Sequence, residues 1–80
     1  MAECTVFFFG HTAEIVGKRR IPIAILPGKT VRQIFEGLIS EYNELAKLRL
    51  LISLNQQYAT GDELVRDGDE LAIFTAVSGG

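Results

Sequence analysis

The sequence ends in Val77-Ser78-Gly79-Gly80 directly after an apolar stretch, and this ending holds the group best placed for chemistry. Two glycines carry no side chains to pack, and they let a backbone thread a channel too narrow for a Cβ atom. When extended, the six residues from Thr75 to Gly80 reach up to about 20 Å. The pattern predicts either a carboxyl terminus that enters a buried site on another protein or a frayed end without function.

The other reactive side chains lack the neighbours that catalytic or metal sites need. Cys4 alternates with Val6 and Phe8, which favours a buried, inert thiol over a persulfide carrier. His11 has no second ligand at metal-binding spacing, so it is predicted to be a loop residue and no metal site is expected. The carboxylates lack the spacing of a calcium loop and are predicted to be turn and surface groups, free to meet basic residues on a partner. They are Asp62, Glu63, Asp67, Asp69 and Glu70.

Length and composition indicate one small domain. Eighty residues that are 48% hydrophobic allow an efficient core. The net charge of −2 argues against nucleic acid, and a single cysteine excludes an internal disulfide framework. The N-terminus has no basic segment, and its apolar run is too short for a signal peptide or a membrane span. We therefore expect a cytoplasmic protein that binds neither nucleic acid nor membrane.

Periodicity predicts five strands and one main helix. Pro22 cannot donate a ladder hydrogen bond, which places the second strand at a sheet edge. Thr30 and Gln33 form a capping box that begins the helix, and an apolar stripe follows from Val31 to Tyr42. A short helical turn, capped by Thr12 and ended by Gly17, is predicted before the second strand. The strands are expected at residues 4–9, 21–26, 50–54, 62–65 and 70–74.

This order of elements predicts the fold. One apolar stripe on one helix has to cover one face of a mixed sheet, reached by a right-handed crossover. The class is therefore α+β, with the β-grasp or ubiquitin-like arrangement of about five strands and one main helix on one face. We predict a β-grasp domain at residues 1–74 and a flexible tail at residues 75–80.

Four segments of the chain resemble the small, sulfur-carrying subunits of molybdopterin synthase, the MoaD family of the ubiquitin-like superfamily. Together they span nearly the whole chain in the family's order. There is one departure, because the family often has two prolines where this chain has Thr75 and Ala76, which makes a more flexible tail expected. The four segments are residues 6–9 with 14–17, residues 54–56, residues 64–72, and Phe74 with residues 77–80.

The resemblance implies a chemistry for Gly80. An adenylating enzyme similar to MoeB would use ATP to activate the Gly80 carboxylate, and a sulfur donor would then displace AMP to leave a thiocarboxylate. Gly79 would thread the tail into the large subunit, similar to MoaE, where the sulfur passes to cyclic pyranopterin monophosphate to make molybdopterin. The chain would bind no cofactor itself, and the catalytic side chains would lie on the large subunit of a heterotetramer.

Strand parity predicts the docking surface. If Val6 and Phe8 face the helix, then Phe9 faces outward, and the same reasoning turns Phe74 outward. The resemblance implies that an outward set of residues contacts the activating enzyme and the large subunit, unless an N-terminal arm or a loop covers it. This partner-binding set is Phe9, Tyr58, Phe74, Val77 and Ser78.

Three alternatives remain open. The chain is a sulfur carrier of the thiamine pathway, or a ubiquitin-related modifier conjugated to lysines, or a β-grasp binding module with an idle tail. Carrier and modifier both need an activated Gly80 and differ in the fate of that end, thiocarboxylate or isopeptide. Only the idle-tail hypothesis predicts that deleting Gly79 and Gly80 changes nothing.

Overall fold

The structure, a computed structural model, describes residues 2–75, so Val77, Ser78, Gly79 and Gly80 lie outside the described residues. A 3-10 helix at Asn43–Lys47, which the sequence did not predict, follows the main helix. In chain order the other elements are β1 (Ala2–Phe8), α1 (His11–Val16), β2 (Arg20–Ile25), α2 (Val31–Glu41), β3 (Leu50–Leu54), β4 (Gln57–Tyr58) and β5 (Glu70–Thr75).

The five strands form one mixed sheet in the order β2-β1-β5-β3-β4. β1 and β5 are parallel, and the other neighbours pair antiparallel. β2 lies at an edge, as Pro22 predicted. With α2 packed on one face, this is the predicted α+β, β-grasp fold. No helix within residues 2–75 is long and apolar enough to cross a membrane.

The core lies between α2 and the face of the sheet that the alternation predicted. Val6 and Phe8 of β1 are at most 2% exposed, and Leu71 and Ile73 of β5 are equally buried. The helix contributes Val31, Ile34 and Leu38 from its predicted stripe. Leu45 of the 3-10 helix closes one end of this core and is completely buried.

α2 begins at the predicted capping box. The Thr30 side chain accepts a hydrogen bond from the Gln33 N–H at 3.3 Å, and the Gln33 side chain accepts one from the Thr30 N–H at 2.9 Å. Two further N–H groups of the first turn need partners, because a helix cannot satisfy them internally. The loop at residues 60–63 supplies them: the Glu63 and Gly61 carbonyls accept from Val31 at 3.0 Å and Arg32 at 3.0 Å.

The predicted strand at residues 62–65 is wrong. The fourth strand is Gln57–Tyr58, which turns straight back from β3 and pairs with it. Leu64 makes only an isolated bridge to Thr30. The physical reason is that the Gly61 and Glu63 carbonyls accept hydrogen bonds from the first turn of α2. They are therefore not available to pair with a neighbouring strand.

The predicted role of Thr12 as the cap of the short helix is also wrong. α1 begins after Gly10 and runs from His11, an exposed helical residue that the sequence placed in a loop, to the predicted end at Gly17 (φ 81°). Thr12 is instead fully buried inside the helix. Its hydroxyl accepts from the Phe9 N–H at 3.0 Å, and its proton is shared between the carbonyls of Phe9 at 2.7 Å and Ile73 at 3.1 Å.

Replacing Thr12 with valine keeps the shape of the side chain and removes the hydroxyl. The backbone groups of Phe9 and Ile73 then lose one partner each but keep another, since the Phe9 N–H still donates to the Ile73 carbonyl and the Phe9 carbonyl still accepts from the residue 12 N–H. We therefore expect the free energy of unfolding to fall by about 0.5–1.5 kcal/mol. Urea denaturation followed by circular dichroism measures this change. Thr12→Ser, which keeps the hydroxyl, is the control and should lose less. Equal stability of Thr12→Val and the wild type would contradict the assigned role.

The loop at residues 60–63 also makes stability depend on pH. The Glu63 carboxylate accepts hydrogen bonds from the Thr60 N–H at 2.7 Å and the Gly61 N–H at 2.8 Å, and these bonds lower the pKa of Glu63 below its ordinary value of 4.5. A lowered pKa in the folded state stabilises the fold above the unfolded pKa, and this stability is lost as the pH falls through the folded value.

We therefore expect the stability advantage of the wild type over Glu63→Gln to be full at pH 7 and to shrink as the pH falls below 4.5. Urea titrations of both proteins over this range measure the difference. The matched control is Glu44→Gln, at an exposed position in the 3-10 helix. A constant difference between wild type and Glu63→Gln at every pH would rule out the carboxylate as its source.

Candidate functional site

The face of the sheet opposite α2, here called the outer face, carries the predicted docking residues. Phe7 lies opposite Ala72 on β5, Ala72 opposite Ser53 on β3, and Ser53 opposite Tyr58 on β4. Small residues thus occupy the middle of this row, and aromatic rings stand at its two ends. The result is a shallow depression bordered by rings, lined among others by Phe7, Phe9 and Ala72.

The aromatic residues of the outer face are incompletely covered. Phe9 is 53% exposed and Tyr58 is 74% exposed, while Phe74 is half-buried. The rings of Tyr58 and Phe74 are tilted, with centroids 6.1 Å apart, a favourable aromatic contact. The predicted outward orientation of Phe9 and Phe74 is therefore confirmed, and their role in binding a partner stays a prediction.

These rings lie close to the point where the chain leaves the sheet. The Phe9 N–H donates to the Ile73 carbonyl at 3.2 Å, so β1 extends beside the end of β5. Phe74 is the next residue, and Thr75 is the last one described. The aromatic part of the predicted site therefore lies beside the described end of β5. Val77, Ser78, Gly79 and Gly80 lie outside the described residues, so the tail stays a prediction.

The turn between β3 and β4 borders the same depression and is held in an uncommon conformation. Asn55 and Gln56 both have positive φ angles, 50° and 72°. Asn55 tolerates this region and is fastened to Glu70, since its N–H donates to the Glu70 carbonyl at 2.8 Å and its side chain accepts from the Glu70 N–H at 3.0 Å. Gln56 has no such anchor among the described residues, and it lines the depression.

Most of the acidic residues have structural partners, as predicted. Asp67 accepts from the Glu3 N–H at 2.9 Å, and Asp69 accepts from the Arg66 N–H at 2.8 Å and from the Asn55 amide at 3.1 Å. These bonds fix the turn that precedes β5. Within residues 2–75 no group of three or more histidine, cysteine or acidic side chains is arranged to hold a metal ion.

Cys4 is the buried thiol that the alternation predicted. It is 1% exposed, and burial, followed by the negative charge of Asp69, raises the pKa of its thiol. A raised pKa leaves little of the reactive thiolate. The alternation of β1 was enough to predict the burial of Cys4. The positive φ of Gln56 was not predicted, because the only feature of the sequence that indicates it is the preceding asparagine.

The sequence is similar to one protein family and to several characterised proteins. A family model described as the ThiS family matches residues 6–80. The chain is similar to the molybdopterin synthase sulfur carrier subunits of Caenorhabditis elegans and Arabidopsis thaliana. It is 33% identical to the first, with 100% of both chains covered, and 29% identical to the second, with 98% of this chain and 83% of that protein covered.

Solved structures with the same fold include a modifier protein and a chain of a converting-factor complex. The small archaeal modifier protein 1 of Methanosarcina acetivorans superposes with a TM-score of 0.78 at 27% identity, over 100% of this chain and 98% of that one. A chain of the complex between subunits 1 and 2 of the molybdopterin-converting factor of Helicobacter pylori superposes with a TM-score of 0.70 at 20% identity, over 98% of this chain and 99% of that one.

The strained turn predicts a stabilising substitution. A residue other than glycine, asparagine or aspartate in the left-handed region costs about 1–2 kcal/mol, and the chain entropy of glycine offsets about 0.5–1 kcal/mol of the relief. The net gain of about 1 kcal/mol should raise the melting temperature of Gln56→Gly by about 4–8 °C. Thermal denaturation measures the change. Gln57→Gly, one residue later in β4, is the control and should lower the melting temperature, because glycine weakens strands. If Gln56→Gly melts at or below the wild type, the turn is not strained.

Proposed function

The chain belongs to the ThiS family, and from this premise we propose that it is the sulfur-carrying small subunit of a molybdopterin synthase, acting in the cytoplasm. One observation carries the proposal: the match to the family extends from residue 6 to Gly80 and so includes the terminal Gly79-Gly80. The similarity to molybdopterin synthase sulfur carrier subunits, at 28–33% identity, favours this pathway within the family.

In the proposed reaction, Gly80 is the free carboxyl terminus. Its carboxylate attacks the α-phosphate of ATP on an adenylating enzyme, which releases pyrophosphate and leaves a mixed anhydride with AMP. Sulfide from a sulfur donor then attacks the carbonyl carbon and AMP leaves, so that the terminus becomes a thiocarboxylate. Its sulfur finally attacks a carbon of cyclic pyranopterin monophosphate, and water cleaves the bond between that sulfur and the Gly80 carbonyl, which returns Gly80 to a carboxylate. Catalytic side chains for these steps would belong to the partners, since the chain contributes the sulfur and the means of docking.

The outer face is the proposed docking surface for those partners. Aromatic rings make strong anchors when a partner covers them. Here the exposed rings of Phe9 and Tyr58 and the half-buried ring of Phe74 lie on the outer face, near the described end of β5. Anchoring beside the exit fixes the start of residues 75–80, whose extended length is about 20 Å, so that Gly79 and Gly80 reach a buried site. Val77 and Ser78 would line the entrance to that site. The Helicobacter pylori complex of two converting-factor subunits supports a partner of this kind.

A second candidate function shares the first step. The likeness to the modifier protein of Methanosarcina acetivorans supports a chain whose activated Gly80 is joined to lysines of other proteins. Both functions use the same docking surface and the same adenylate. They differ in the nucleophile that attacks the adenylate, which is sulfur for the carrier and a lysine amine for the modifier.

The intact mass of the protein decides between them. The full chain is incubated with the adenylating enzyme of its host, ATP and sulfide, and analysed by mass spectrometry. We expect a gain equal to the replacement of one oxygen by sulfur, because sulfide displaces AMP from the adenylate. The variant lacking Gly80 is the control and should show no gain.

Two other results have definite meanings. An AMP adduct that ends as lysine-linked conjugates, with no gain of sulfur, supports the modifier over the carrier. An unchanged mass, with an enzyme proven active on another carrier, contradicts both functions and leaves a β-grasp module with an idle tail.

A further inference from the structure

β2 leaves one edge of the sheet unpaired, because within residues 2–75 it pairs only with β1. The Phe8 N–H donates to the Arg19 carbonyl at 2.8 Å. Hydrogen bonding alternates along an antiparallel strand, so Arg20, Pro22 and Ala24 direct their backbone groups away from β1. Pro22 offers only a carbonyl there, whereas Arg20 and Ala24 each offer a donor and an acceptor.

An apolar groove runs along this edge between β2 and α2. Ile21 and Ile23 of the strand are half-buried in it, and Ile34 and Leu38 of the helix form its floor. Gly37, in the middle of α2, forms part of the wall, and a Cβ atom there would meet no other atom within 4 Å. Glycine weakens a helix relative to alanine. No packing contact requires it at this position, and the missing side chain keeps the groove open.

The groove has positive charge at both ends. Lys18 precedes β2 and Lys29 follows it, and both line the groove, as does one carboxylate, Glu41. Arg20 adds another exposed cation along the edge. The one ion pair found within residues 2–75 lies elsewhere on the surface. A domain with a net charge of −2 therefore presents a locally basic edge.

We propose that this groove binds an extended segment of a partner protein, which adds a strand to β2. Aliphatic side chains at alternate positions of that segment fill the groove over Ile21 and Ile23, and acidic residues at its ends pair with Lys18 and Lys29. Backbone hydrogen bonds from Arg20 and Ala24 hold the added strand.

The charges favour such a partner over a second copy of this chain. Antiparallel pairing of two β2 strands about Pro22 would place two residues without N–H groups opposite each other. Residues 17–30 also carry four cations and no carboxylate, so a second copy supplies no acidic side chain to pair with Lys18 and Lys29. An acidic segment of a partner supplies those carboxylates.

The proposed surface is independent of the outer face. The groove opens on the side of the sheet that carries α2, whereas Phe9, Tyr58 and Phe74 project from the opposite side. A partner held along β2 would leave the outer face and the exit of the tail free. The inference therefore goes beyond the proposed sulfur-carrier function and stands or falls separately from it.

The test is a titration of the ¹⁵N-labelled full chain by NMR. The probe is a synthetic peptide in which valine alternates with threonine between flanking glutamates, and a second peptide has lysines in place of the glutamates. We expect the glutamate peptide to shift the amides of Arg20, Ala24 and Gly37. We expect the lysine peptide to bind at least about tenfold more weakly, because its charges face Lys18 and Lys29.

Gly37→Leu fills the groove and should weaken binding by about tenfold or more. Ser40→Leu makes the same kind of change on α2 outside the groove and should bind as the wild type does, with thermal denaturation showing that both variants are folded. The proposal is overturned if neither peptide binds, if both bind equally, if the shifts centre on Phe9 and Tyr58, or if Gly37→Leu binds normally. It is also overturned if β2 amides shift on raising the protein concentration alone.

Discussion

The hydroxyl of Thr12 joins three parts of the fold at the place where its two parallel strands end. The parallel pairing of β1 with β5 ends at Phe8 and Ile73. The Thr12 hydroxyl accepts a hydrogen bond from the Phe9 N–H and donates its own proton to the Phe9 and Ile73 carbonyls. It is the buried polar side chain of the described core. The hydroxyl therefore holds the backbone at Phe9 and at Ile73, the residue before Phe74.

The two faces of the sheet have different surroundings. On the helix side, the alternating apolar residues of β1 and β5 form a closed core with α2. Carbonyls of the loop at residues 60–63 accept hydrogen bonds from the first turn of α2 and hold its start in place. On the outer side, the same alternation leaves aromatic rings that residues 2–75 cover only in part. A short strand, β4, brings Tyr58 against Phe74 and completes that surface. The rigid core therefore presents the aromatic residues in fixed positions.

Features governed by local periodicity or local hydrogen bonds were predictable from the sequence. The strands other than β4, the capping box of Thr30 and Gln33, the edge position of Pro22 and the outward orientation of Phe9 belong to this group. The errors arose where distant backbone groups compete for partners. Thr12 bonds to Ile73, 61 residues away, and residues 60–63 serve the start of α2 instead of the sheet. β4, with two residues, is too short to show any period.

The burial of Cys4 has a consequence for the chemistry of sulfur in this chain. The sequence contains one cysteine, and packing between β1 and its neighbours leaves 1% of it exposed. Thiols exchange with activated acyl and sulfur groups only when their thiolate is accessible. Under the proposed function, a reactive group formed at Gly80 would therefore meet no accessible thiol on its own chain, because the one cysteine is buried. The packing around Cys4 would then prevent the intramolecular capture of that group.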